Sequence, residues 1–146
     1  MASRSLNTPC VGLCSTVYGD AVCRGCKRYD YEIIDWNTYT STQHEAVWQR
    51  LEQLLEEVMA NKLAITDRKL LEQKLIKHSI RFRPQQSSYY WAYLLLTKGA
   101  RLINNIEAYG IHISVPYDNQ PLWELREQID VEFFALSEKN YPTTLP

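Results

Sequence analysis

Cysteine is absent after position 26 of this 146-residue chain. No disulfide framework can therefore staple the larger part of it, and that part must be held by an apolar core. Glycine is also scarce, at 5 residues, and no long run is dominated by Val and Ile. Leu, Gln, Glu and Lys crowd the middle instead, which favours helices over sheets. There is no Gly-rich phosphate loop, no Ser/His/Asp constellation and no isolated carboxylate pair, so the chain is expected not to be an enzyme, and no small-molecule substrate is evident. The 3 histidines, His44, His78 and His112, are too scattered for a ligand pair. The longest apolar run, Tyr89 to Leu96, is far too short to span a bilayer. Met1 to Pro9 is polar and no apolar stretch follows, so no secretory signal is expected; the reading is cytoplasmic and reducing. A net charge of -1 rules out a chain that binds nucleic acid or membranes by its overall field.

What is present is a compact set of 4 cysteines in the order Cys10-x3-Cys14-x8-Cys23-x2-Cys26. Two close pairs are joined by a short connector. Each pair can bend around one ion, and Tyr18-Gly19-Asp20 can reverse the chain between them. In a reducing compartment such clustering points to metal ligands. Four thiolates suit tetrahedral zinc at Zn–S distances of about 2.3 Å, and they equally suit an iron–sulfur cluster. Arg24, Lys27 and Arg28 lie where they can offset thiolate charge. Structural disulfides are disfavoured without a secretory signal. A redox-active Cys23-Arg24-Gly25-Cys26 dithiol lacks the strand–helix context of such motifs and has two further cysteines nearby. A closed four-thiolate site has no open position for a substrate water, which argues against hydrolytic metal catalysis.

The stretch Pro9-Cys10-Val11-Gly12-Leu13-Cys14, followed by Cys23-Arg24-Gly25-Cys26-Lys27-Arg28 and then Glu32-Ile33-Ile34-Asp35-Trp36, resembles a small bacterial family, domain-of-unknown-function family 1289. That family is commonly labelled a predicted Fe–S protein. The resemblance covers roughly residues 8–55 and implies iron–sulfur binding on the four cysteines.

The chain as a whole reads as mainly α: a flexible N-terminus at 1–9, a four-cysteine metal module at 10–40 and a helical region at 41–146. A capping box of Thr42 with Glu45 predicts a helix over about 43–62, with Val47, Trp48, Leu51, Leu54, Leu55 and Val58 inward. A second helix is expected from Thr66 or Asp67 and a third over Ser88 to about Ile106 with Leu102 buried. A strand without an evident partner is expected at Tyr109–Val115, a last helix begins at Pro121, and the tail from Pro142 is irregular. Metal binding is expected to order the module but not the helical body. Tyr29 and Tyr31 beside Arg24, Lys27 and Arg28 form the one basic–aromatic patch, a weak signal for nucleic acid. The functional expectation is a non-enzymatic metal-binding protein that presents Arg24, Lys27 and Arg28 to a protein partner. The alternatives are an iron–sulfur electron-transfer or redox-sensing protein and a nucleic-acid-binding accessory protein.

Overall fold

A computed structural model describes residues 8–12 and 14–143. Most of the lead expected to be flexible, residues 1–7, and the last three residues of the irregular tail lie outside the described residues. Among those described, the fold is mainly α, with five α-helices and a single two-stranded sheet. Helix α1 spans Asp30–Asp35, α2 Ser41–Met59, α3 Arg68–Lys77, α4 Ser88–Gly99 and α5 Leu122–Lys139. No helix among the described residues is long and apolar enough to cross a membrane.

The body is built on α2, which packs against both α4 and α5. Its inward residues recur at helical spacing as expected: Val47, Trp48, Leu51, Leu54, Leu55 and Val58 are all buried. They meet Trp91, Leu95 and Leu96 of α4 and Leu125, Ile129 and Phe133 of α5 in one apolar cluster. Each fully buried aliphatic or aromatic side chain there contributes about 1.5–3 kcal/mol before chain entropy is counted.

Local chemistry shifts the boundaries. Helix α2 starts earlier than the Thr42–Glu45 pairing predicts. Thr40 Oγ1 accepts from Gln43 N–H at 3.2 Å, and Gln43 Oε1 accepts from Thr40 N–H at 2.8 Å, so the capping box sits two residues upstream. Glu45 pairs with Arg83 instead. Helix α3 begins where expected, capped by Asp67, whose Oδ1 accepts from Leu70 N–H at 3.0 Å. Helix α4 stops at Gly99, short of the expected Ile106, and Leu102 is 82% exposed. Glycine weakens the helix end, and Asn105 downstream caps a separate 3-10 turn over Ile106–Tyr109.

The strand expected near 109–115 is real and has a partner. β1, Leu63–Ile65, pairs antiparallel with β2, Ile111–Ile113, in the register Leu63↔Ile113 and Ile65↔Ile111. β1 is not expected from the sequence, because its three residues display no clear period of two. Gly110 ends the preceding 3-10 turn at φ +78°, and a Cβ there would lie 2.3 Å from the Asp67 carbonyl oxygen. Only glycine permits both the left-handed backbone and this close approach.

Candidate functional site

Residues 22–29 form a tight hairpin loop. Val22 and Tyr29 bridge antiparallel, Cys23 N–H donates to Arg28 O at 2.9 Å, and Lys27 N–H donates back to Cys23 O at 2.9 Å. Lys27 adopts φ +66°, an uncommon left-handed conformation that lets the chain close around Arg24 and Gly25. The segment after Cys14 docks on this loop. Ser15 Oγ accepts from Arg24 N–H at 2.8 Å, and the Ser15 peptide N–H donates to the Cys23 sulfur.

Cys23 and Cys26 therefore lie together, 1% and 4% exposed, with their sulfurs hydrogen-bonded. The Cys26 thiol donates to Cys23 and is the main cause that draws the Cys23 thiol down to about 4. Burial opposes this, while the peptide N–H groups of Cys26, Ser15 and Gly25 assist it. Cys26 is pushed far above the ordinary thiol range, first by sharing its proton with Cys23 and then by burial, against the pull of Arg28. Arg28 Nε donates to Cys26 Sγ at 3.3 Å. The pair thus holds one proton between two sulfurs, and a metal bound there would displace it.

Cys10 and Cys14 are placed differently. Cys10 is exposed, and its sulfur accepts from Gly12 N–H at 3.4 Å. Cys14 is half-buried, with its sulfur 3.1 Å from Thr16 Oγ1. Among the described residues, no group of three or more His, Cys, Asp or Glu side chains converges tightly enough to hold a metal ion. The expected set is brought together only as far as the Cys23–Cys26 pair. Thiol reactivity should follow this division. In the metal-free native chain, iodoacetamide is expected to label Cys10 first and Cys14 more slowly, with Cys23 and Cys26 labelled only on unfolding. Peptide mass mapping over time checks the order; early labelling of Cys23 would contradict its burial.

Two of the three residues expected to face a partner are not at the surface. Lys27 is 1% exposed and Arg28 5%. Lys27 Nζ donates to Arg24 O at 2.7 Å, to Gly25 O at 3.1 Å and to Asp130 on α5. Arg28 lies over the Trp36 ring at 4.8 Å as well as on Cys26. Their long stems let both charges reach buried partners that sequence adjacency does not reveal. Only Arg24 remains outside, with its side chain 65% exposed. The basic–aromatic patch is dispersed for the same reason: Tyr29 is 2% exposed, and its hydroxyl donates to Ser137 O at 3.0 Å.

The Glu32-Ile33-Ile34-Asp35-Trp36 stretch joins this loop to the body. Glu32 is buried, takes the Tyr29 N–H at 2.8 Å, and receives both terminal nitrogens of Arg50 on α2. Trp36 enters the apolar core and stacks on His44 at 4.1 Å, and His44 Nε2 lies 2.7 Å from Trp36 O. Sequence reasoning missed Ser15, Arg50 and Asp130, each a common polar residue distant in sequence from its partner. The basic pair Lys27-Arg28 was the available signal, since charges with short local partners would not need Asp130.

These features define a mainly helical protein that carries an N-terminal cysteine hairpin packed on its helices. Residues 8–55 match the family model described as a protein of unknown function (DUF1289). The matched span runs past the loop to Leu55 of α2, so it includes both the Glu32–Arg50 pair and the Trp36–His44 stack. No curated protein and no solved structure matches the chain.

Proposed function

We propose that this is a non-enzymatic metal-binding protein in which Cys10, Cys14, Cys23 and Cys26 hold one zinc ion or iron–sulfur cluster, and that the ordered hairpin serves as an interaction module for a macromolecular partner. The observation that carries this reading is the donor environment of the Cys23–Cys26 pair. Peptide N–H groups of Ser15, Gly25 and Cys26 aim at one sulfur and Arg28 Nε at the other. Such outer donors stabilise thiolates and tune a bound metal. The residues fit the group in charge and in ligand chemistry. Cys10 and Cys14 hold only weak local contacts, and sulfur is a poor hydrogen-bonding partner, so little opposes their turning to the pair.

The same pair bears on a redox dithiol. A low thiol pKa favours it, but catalytic dithiols are partly exposed to their substrates, and Cys23 is 1% exposed. Metal binding is the better use of two buried, charge-supported sulfurs. The test is anaerobic purification followed by metal analysis and visible spectroscopy. About one zinc per colourless chain, or a brown chain with stoichiometric iron and sulfide, is expected. A chain that retains neither, and takes up neither on reconstitution, overturns the reading.

A further inference from the structure

We propose that the cleft between α4, α5 and the 23–26 loop binds a carboxylate carried on an apolar body. The proposal needs no metal at the cysteines, although Val11 of the first cysteine pair lines the cleft. The cleft encloses about 480 Å³, within the size range of small-ligand sites. Its walls are largely apolar, with Phe134 inside and Val131, 68% exposed, at the rim.

The charge in this cleft is unbalanced. Asp130 lines it, but its Oδ1 already takes the Lys27 ammonium and the Tyr93 hydroxyl, the latter at 2.6 Å. Arg24 arches over the Phe134 ring at 5.0 Å and has an ion pair with the partly exposed Asp20. Arg126 is half-buried in the cleft wall and has no hydrogen-bond or ion-pair partner among the described residues. Its Nε is closed to solvent and unpaired, and Thr97 Oγ1 in the same wall is in the same condition. These are two of the four such buried side-chain atoms among the described residues.

Unpaired buried donors are uncommon and call for a missing partner. Arg126 gives up no existing hydrogen bond by turning toward one. A guanidinium offers a planar fork that matches a carboxylate. One uncompensated arginine, with Arg24 at the mouth, suits a single negative charge. A phosphate dianion would bring a second charge against Asp130 and the apolar walls, with only the Asp20-paired Arg24 left to meet it.

The test is an ¹⁵N-edited NMR titration of the full chain with hexanoate and, separately, N-acetylleucine, which present this chemistry as a free acid and as a peptide C-terminus. Saturable shifts are expected at Gly25, Thr97 and Asp130 and at the Arg126 Nε–H, and the tighter probe names the source. Hexanol and inorganic phosphate should bind at least about tenfold more weakly. Arg126→Gln is expected to weaken the better probe about tenfold, and Arg24→Gln a few-fold because it is exposed. Should Arg126→Gln not fold, Arg126→Lys, which keeps the charge and loses the fork, is expected to bind more weakly than the parent. Absence of saturable shifts with either acid, phosphate binding as tight as hexanoate, or unchanged affinity in the folded Arg126 variant would overturn the proposal.

Discussion

Cys23→Ser and Cys26→Ser are each expected to abolish stable metal retention, while Cys10→Ser and Cys14→Ser weaken it by a smaller factor. The asymmetry comes from preorganisation. Cys23 and Cys26 are already paired, buried and surrounded by donors, so their binding energy is not spent on ordering the chain. Cys10 and Cys14 must first leave Gly12 and Thr16, and the entropy of fixing them reduces their net share. A structural zinc site supplies roughly 10–16 kcal/mol. Losing about a quarter of that corresponds to a hundredfold to a thousandfold in affinity for the inner pair, with roughly tenfold less for the outer pair. Competition with a chromophoric chelator measures the difference. Equal losses at all four positions would show that the first pair is equally preordered, and no loss at Cys23 or Cys26 would remove the site. Chelation of the parent should leave most far-UV helix signal, because the α2–α4–α5 core is apolar and takes little from the module beyond Trp36 and the partly buried Tyr39. Global unfolding on chelation would refute that separation.

Arg50→Ala should destabilise the whole chain by about 3–5 kcal/mol, the cost of leaving a buried carboxylate without its cation. The Glu32 side chain is 6% exposed, and Arg50 meets it with both terminal nitrogens, one at 2.7 Å. Arg50 also lies 4.1 Å over the Tyr29 ring, so truncation removes packing as well as charge. Because the Glu32 carboxylate also holds Tyr29 N–H, the damage should spread to the hairpin and lower its metal affinity. Urea unfolding with matched m-values measures the stability term. The double variant Glu32→Gln with Arg50→Met, which leaves no buried charge, should recover much of the loss. A cost below about 1 kcal/mol for Arg50→Ala would mean that solvent screens the pair as it does at a surface.

Much of the body was legible because helical periodicity is a local signal. The α2 stripe, the Asp67 start of α3 and the Pro121 start of α5 all follow from residues within one or two turns of each other. The end of α4 was not legible in the same way, since continuing apolar residues at Leu102 and Ile103 compete with the weak helix end at Gly99 and the cap at Asn105. β1 escaped notice because a three-residue strand exists only through its partner 50 positions away, Leu63 against Ile113.

At the candidate site, the sequence by itself determined the residue types and their clustering: four thiols in two close pairs, with cations beside the second. It also placed the domain segment that carries them. Only the tertiary structure decided which of those groups face inward. Lys27 reaches Asp130 across 103 positions and Tyr29 reaches Ser137 across 108, and no spacing rule specifies contacts of that range. A long basic side chain next to a cysteine reads as a solvated charge until the helix that buries it is in place. Local sequence sets what a residue can bond to; chain folding brings the partner within a few ångströms and excludes the water that would otherwise compete for it.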